Sequence, residues 1–308
     1  MQLEGVHHVT AITGDAPGNV DFYARVLGLR LVKKTVNQDD PTVYHLFYAD
    51  EQGSAGSDIT FFEYPGARPG RAGAGMVHRT TWRVASEVAL DFWEHRLSDE
   101  GITGERADGR LRFADPEGMG LELAVVSSGD PPLVARHPDI APELALQGFD
   151  GVRAYAARPR ASRGLLEGAL GFVPTGEDSF EVRGQQRGGF YAYDAPPPER
   201  GIPGAGTVHH VAWAAPLDEH AAWVDQVAGA GASPTPVIDR FYFRSIYFRE
   251  PSGVLFEIAS LGPGFTTDEP IEHLGERLSL PPDYEQLRER VEQVLMPLPN
   301  PRAERAVR

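Results

Sequence analysis

Arg112-Phe-Ala-Asp115-Pro-Glu-Gly-Met-Gly-Leu-Glu122-Leu-Ala124 and Tyr247-Phe-Arg-Glu250-Pro-Ser-Gly-Val-Leu-Phe-Glu257-Ile-Ala259 are two copies of one pattern, acid-Pro-x-Gly-x-x-x-Glu. Each reads as a strand, a turn set by proline and glycine, and a second strand carrying a glutamate in an apolar run. Upstream, Met76-Val-His78-Arg79-Thr-Thr-Trp82 matches Thr207-Val-His209-His210-Val-Ala-Trp213, and each follows a Gly/Pro-rich linker, residues 65–75 and 196–206. Repetition at this spacing marks a fold assembled from copies of one unit. Two further stretches fit the frame: residues 5–64, opening Val6-His7-His8-Val-Thr10, and residues 148–195, opening Phe149-Asp150-Gly151-Val-Arg153.

The chain therefore divides into an N-terminal half, residues 1–135, with modules at 5–64 and 76–126, and a C-terminal half, residues 146–262, with modules at 148–195 and 207–262. A Pro-rich tail, residues 263–308, follows. Each module has the order strand, helix, three strands. In the first, His7 to Ile12 alternates as a strand, and Asn19 to Leu27 has helical spacing with Val20, Tyr23, Ala24 and Leu27 on one side. Gly28 stops that helix. Leu29 to Val36, Val43 to Tyr48 and Ile59 to Tyr64 are the three remaining strands. In the third module Leu165 to Leu170 followed by Gly171 repeats the helix and its stop. The tail is expected to hold one amphipathic helix, capped by Asp283 and packing Tyr284, Leu287, Val291 and Val294.

Composition excludes several classes of function. The formal net charge of −15 over 308 residues opposes nucleic acid and membrane surfaces alike. No apolar run approaches membrane-spanning length, and Met1-Gln-Leu-Glu leads straight into a strand pattern with no signal peptide, so a cytoplasmic location is expected. With no cysteine, thiol catalysis and thiolate ligation are out, and any metal must be held by nitrogen and oxygen.

His-His occurs twice, at His7-His8 and His209-His210, and Glu257 follows the second pair in an apolar strand. Two strand-borne histidines and a carboxylate make the ligand set of a non-haem Fe(II) site with open positions. An unpaired Glu257 in an apolar strand would be costly to bury, and a metal removes that cost. Neighbours on a strand point to opposite faces, so both members of a pair reach one ion only through a bulge.

The four modules, the opening His7-His8-Val-Thr10, the phrase Asp21-Phe-Tyr-Ala-Arg-Val-Leu-Gly-Leu-Arg-Leu-Val-Lys-Lys-Thr-Val-Asn37 and the closing Phe256-Glu257-Ile-Ala259 resemble the vicinal oxygen chelate superfamily, also called glyoxalase/bleomycin-resistance/dioxygenase. Within it, both His-His pairs together with Asp239-Arg240-Phe-Tyr-Phe-Arg-Ser-Ile-Tyr247-Phe-Arg249 are similar to the hydroquinone ring-cleaving dioxygenases. The resemblance covers residues 5–262. It implies an α+β fold of four βαβββ modules in two open β-barrels with a C-terminal helical tail. It also implies an Fe(II)-dependent extradiol-type dioxygenase acting on hydroquinone or substituted hydroquinones with O2, Mn(II) being the other candidate cation. The ligands it implies are His8, His210 and Glu257, which come from modules one and four. Those two modules must then share a barrel, leaving modules two and three to form the other. The second sphere it implies is Tyr247, Arg240, Thr10, His7 and His209: Tyr247 as a hydrogen-bond donor, Arg240 holding the distal phenolate, and Thr10 sharing the parity of His8. His7 and His209 reach the site only if their strands bulge. A homo-oligomer is expected.

The second barrel is expected to hold no metal, because Arg79 stands where the fourth module has His210 and Gly151 where the first has His8. Glu122 is expected to pair with Arg79 or another cation. Thr60 occupies the place of Glu257 in the first module, with Glu63 facing away, which argues against a glyoxalase-type lyase needing a second carboxylate. The same residues leave open a catechol-type extradiol dioxygenase and a non-catalytic binding protein of the same fold. His45, His78, His95, His137, His220 and His273 are read as surface or packing residues.

Overall fold

A computed structural model describes residues 1–302 of the chain. The first module runs β1 (Val6–Thr13), α1 (Ala16–Val20), a wider π-type turn over Asp21–Val26, then β2 (Arg30–Asn37), β3 (Asp40–Ala49) and β4 (Asp58–Glu63). The second has β5 (Met76–Val84), α2 (Glu87–Asp99), β6 (Glu105–Ala107), β7 (Arg110–Ala114) and β8 (Gly120–Val125). The third has β9 (Phe149–Tyr155), α3 (Arg163–Gly168), β10 (Val173–Pro174), β11 (Ser179–Arg183) and β12 (Gly188–Asp194). The fourth has β13 (Thr207–Ala215), α4 (His220–Gly229), β14 (Ile238–Asp239), β15 (Phe243–Arg249) and β16 (Leu255–Pro263). The first helix is broken into two pieces, yet Val20, Tyr23, Ala24 and Leu27 are all buried as their spacing requires, and Gly28 takes the left-handed φ of 72° that ends it.

One eight-stranded sheet has the order β14-β15-β16-β13-β1-β4-β3-β2 and joins modules four and one; the other, β10-β11-β12-β9-β5-β8-β7-β6, joins modules three and two. The opening strands meet antiparallel, β1 against β13 and β5 against β9, and each opening strand lies parallel to the last strand of its own module. Twist accumulated over eight strands curls each sheet into an open barrel. The helices seal the outer faces with buried aromatics such as Trp93 and Trp223.

The repeated acid-Pro-x-Gly turn joins the two barrels. Asp115 accepts the backbone N–H groups of Glu117 and Met119 and also the Tyr23 hydroxyl at 3.0 Å, across from module two to module one. Glu250 does the same between modules four and three, accepting the N–H groups of Ser252 and Val254, the Tyr193 hydroxyl at 2.9 Å and the Ser162 hydroxyl. The two Gly/Pro linkers pair with each other, Pro69 with Ala205 and Arg71 with Ile202.

The tail departs from the expectation of one capped helix. It folds as short 3-10 turns, Phe265–Thr267, Ile271–His273 and Pro282–Leu287, before α5 (Arg288–Val294). No side chain caps the Pro282–Leu287 turn or α5, so Asp283 is not a cap. Pro282 sets a 3-10 start ahead of the α-helix, and the helix proper begins five residues past Asp283. Val291 is buried, Tyr284 and Leu287 pack against the core, and Val294 is exposed because the helix ends there. Residues 303–308 of the tail lie outside the described residues. The tail is held to the first barrel by the fully buried Lys33, whose ammonium meets Asp268 at 2.7 Å and Glu269 more closely still.

Candidate metal centre and active site

The strands β1, β13 and β16 lie side by side, and the parallel register of β13 with β16 sets Glu257 opposite Ala212, two residues beyond His210. Side chains two apart share a face, so His210 and Glu257 point the same way. His8 joins them across the β1–β13 seam, opposite Ala212. The three functional atoms converge: His8 Nε2 to Glu257 Oε2 is 3.1 Å, His210 Nε2 to the same oxygen 2.9 Å, and the two Nε2 atoms are 3.3 Å apart. All three residues are buried. Glu257 Oε1 accepts the Ser245 hydroxyl, but Oε2, although close to both rings, makes no hydrogen bond. An orphaned buried carboxylate oxygen facing two imidazole nitrogens is a donor set aimed at one point, and a divalent cation fits it.

Electrostatics agree with that fit. Burial alone would push Glu257 up, but His8 and His210 hold its carboxyl well below the usual range, so it stays anionic. Burial pushes His210 down, against the opposing pull of Glu257. A neutral imidazole and a carboxylate are the forms that ligate a metal.

His7 and His209 are the extra residues of two β-bulges. From Val6 to His8 the ladder advances two residues on β1 but one on β13; from His210 to Val208 it advances two on β13 but one on β1. Each bulge brings the first histidine of a pair onto the second. His7 Nδ1 lies 2.9 Å from His8 Nδ1, and His209 Nδ1 lies 2.8 Å from His210 Nδ1. His7 Nε2 is 3.1 Å from the Ser260 carbonyl, which can only accept. The hydrogen therefore sits on His7 Nε2, His7 Nδ1 accepts from His8 Nδ1, and His8 Nε2 is left with its lone pair toward Glu257 and His210. Burial, with His8 alongside, pushes His7 down to about 3, so its ring is neutral, whereas His209 reaches solvent.

A narrow cavity of about 40 Å³ opens over the three residues. Tyr247 lies opposite Glu257 on β15 and lines it, with its ring 5.8 Å from that of His210. Burial and Glu257 raise Tyr247, so its hydroxyl keeps its proton. Arg240 also lines the cavity, but both terminal nitrogens go to Asp39, at 3.1 and 2.9 Å, and its guanidinium lies 5.5 Å above the Tyr247 ring. Phe241, beside it, has φ 70° and donates its N–H to Asp239; a non-glycine residue there costs roughly 1–3 kcal/mol. Thr10 is buried and shares a 2.8 Å hydrogen bond with Thr60, which stands opposite it in the place equivalent to Glu257. Phe47, Phe62 and Phe243 supply apolar wall.

One residue expected to serve packing or surface belongs to this cavity. His45 lines it and bonds Thr60 Oγ1 through Nε2 at 2.9 Å. Sequence periodicity places His45 on a strand but cannot tell that β3 curls round to face β13; its shared parity with Phe47 is the only signal. His220 and His78 are structural: the first bonds the Ile258 carbonyl, the second stacks on Tyr155 and meets Asp194 at 2.8 Å.

In the second barrel Glu122 is met by arginines. Arg112 Nε lies at 2.8 Å and Arg79 at 3.9 Å, with Arg110 closer and the Thr81 hydroxyl at 3.1 Å. A side chain at Gly151 would run into the Phe190 ring, which fills the place that His8 takes in the first barrel.

Comparison with known proteins places these features in a family. Residues 5–123 and 148–258 match the Glyoxalase/Bleomycin resistance protein/Dioxygenase superfamily. The "Putative ring-cleaving dioxygenase MhqO" of Bacillus subtilis (strain 168) is 42% identical over 301 residues, covering 95% of this chain and 96% of that protein. The chlorohydroquinone/hydroquinone 1,2-dioxygenase of Sphingobium indicum is 34% identical, covering 92% and 93%. A crystal structure of a protein from Bacillus subtilis subsp. subtilis str. 168 superposes with a TM-score of 0.90 at 41% identity, covering 97% of this chain and 98% of that one. With its two barrels, its module repeat and this match over most of its length, the chain belongs to the glyoxalase/bleomycin resistance protein/dioxygenase superfamily.

Proposed function

We propose that this protein is an Fe(II)-dependent, extradiol-type ring-cleaving dioxygenase of hydroquinone or a substituted hydroquinone. The observation that carries this reading is the convergence of His8 Nε2, His210 Nε2 and the orphaned Glu257 Oε2 at the floor of an aromatic-walled cavity. Bound there, Fe(II), or Mn(II) in its place, would orient a phenolic oxygen and O2 together and pass charge between them. Both atoms of O2 enter the product as one ring C–C bond breaks. The ring itself supplies the electrons, so no separate reductant is needed.

The chain's own residues supply the rest. His7 and Ser260 fix the tautomer of His8, so its Nε2 lone pair stays aimed at the metal point, and His209 Nδ1 orients the His210 ring through its Nδ1. Tyr247, protonated and on the Glu257 face, donates a hydrogen bond to charge that develops on oxygen. Arg240 adds positive charge behind Tyr247 while Asp39 pins it. Thr10 fixes the Thr60 hydroxyl at the edge of the site. Phe47, Phe62 and Phe243 exclude water and stack the ring. The lyase reading is disfavoured because Thr60, hydrogen-bonded to Thr10 and His45, stands where a second carboxylate would be needed.

The test is metal content and O2 uptake after anaerobic loading with Fe(II) or Mn(II), with hydroquinone, chlorohydroquinone and catechol. We expect one metal-dependent activity, greatest on hydroquinones, and loss of both metal and turnover in His210→Ala. Turnover by His210→Ala, or a protein that binds neither metal, would refute the proposal.

A further inference from the structure

We infer that His45 sets the specificity of this site by hydrogen-bonding the hydroxyl on the far side of the substrate ring, so that a para-diol is preferred to an ortho-diol. This rests on the dioxygenase reading above. The imidazole is held on three sides. Phe47 lies against it at 3.9 Å between ring centroids and Phe62 at 4.4 Å, while Nε2 is bonded to Thr60 Oγ1, itself bonded to Thr10 Oγ1. That leaves Nδ1 as the ring's remaining polar atom, in the wall of the cavity whose floor is His8, His210 and Glu257. His45 is half-buried, and Nδ1 so placed between phenylalanines is open to a hydrogen bond from whatever enters the cavity.

The cation in the wall is anchored to one side of the cavity. Arg240 gives one N–H from each terminal nitrogen to Asp39, which fixes the guanidinium beside the Tyr247 ring. Burial holds His45 well below its usual pKa, with His8 and His210 adding to the shift. The ring is neutral, and in either tautomer Nδ1 can bond a hydroxyl, as acceptor or as donor. A para-diol with one oxygen at the metal carries its second oxygen to the opposite end of the ring. A catechol keeps both oxygens together and turns only C–H toward His45. A site built to bond a hydroxyl discriminates strongly against an analogue that lacks it, because its own polar group is then left unpaired.

The experiment compares Fe(II)-loaded wild type, His45→Phe and His45→Gln. Expected for His45→Phe are unchanged iron content, a KM for hydroquinone raised about tenfold or more, a KM for catechol within about twofold of wild type, and partial recovery in His45→Gln. Anaerobic binding to wild type adds a readout free of turnover and of mutant folding: hydroquinone should bind about tenfold tighter than phenol. Equal binding of hydroquinone and phenol, or variants whose hydroquinone-to-catechol ratio of kcat/KM equals that of wild type, would overturn the inference while leaving the dioxygenase reading intact. A wild-type protein that turns over neither diol would instead sink the dioxygenase reading, and this inference with it.

Discussion

Glu122 and Glu257 occupy the same position of the same repeated motif, are equally buried, and should respond in opposite ways to the same substitution. The charge of Glu122 is met by protein: Arg110, Arg112 and Thr81 bond it and Arg79 stands at 3.9 Å. Glu122→Gln leaves those guanidiniums without their carboxylate. Removing one partner of a buried ion pair costs about 3–5 kcal/mol, and the low end applies because the arginines are a quarter to a third exposed. We therefore expect a loss of about 3 kcal/mol, with or without metal. The charge of Glu257 faces only His8 and His210, which in their neutral, metal-ligating forms are no cations. In Glu257→Gln the amide oxygen keeps the Ser245 bond and the amide nitrogen can donate to a neutral imidazole, so metal-free protein at pH 8 should stay within about 1 kcal/mol of wild type. Fe(II) at a hundred times its dissociation constant stabilises a binding-competent chain by about 2.7 kcal/mol. Wild type and Glu122→Gln should both show that gain, and Glu257→Gln should not. The assay is anaerobic denaturant unfolding of the three chains, each with chelator and with Fe(II). A metal-free Glu257→Gln as damaged as Glu122→Gln, or a Glu122→Gln deaf to Fe(II), would refute the assignment of one glutamate to arginines and the other to metal.

Two further perturbations test the packing. Asp58 is buried with neither carboxyl oxygen bonded, and burial, with Asp50 nearby, raises its pKa well above the usual carboxylate value; the native chain thus holds that proton more tightly than the unfolded one, so this group lowers stability as pH rises. Asp58→Asn should match wild type near pH 4 and pull ahead by up to about 1.4 kcal/mol per pH unit until the folded pKa is passed, as read by unfolding midpoints from pH 4 to 8; parallel pH profiles would refute it. Lys33→Met should cost about 3 kcal/mol, because buried Glu269 then keeps only the exposed Arg277 at 3.7 Å; proteolysis of the tail after residue 263 should accelerate with it, and an unchanged cleavage rate would show that Lys33 does not tether the tail.

The repeat carried most of the architecture. Because every module must bury one sheet face and one helix face, the acid-Pro-x-Gly turn, the helix-stopping Gly28 and Gly171, and the alternating strands were readable from local chemistry, and the His-His pairs with Glu257 implied which ends of the chain meet. Where local rules competed, reading was poorer. Asp283 has the side chain of a cap, but Pro282 beside it favoured a 3-10 turn. His7 and His209 could not be oriented by parity, since a bulge inserts one residue and resets it; both strands bulge at those residues. His45 lay outside any motif, and only the curl of β3 over the seam between β1 and β13 carries it into the cavity.

The sequence by itself determined the module, its four copies and the residue types available for a metal, because strand alternation, turn chemistry and burial cost act over a few neighbouring residues. Only the tertiary structure decided which ring nitrogens face Glu257 Oε2, that Arg240 is paired with Asp39, and that arginines and the Phe190 ring occupy the second barrel's equivalent site. Those are matters of ångström-scale distance between strands far apart in the chain, set by sheet curvature and bulges that no local pattern encodes.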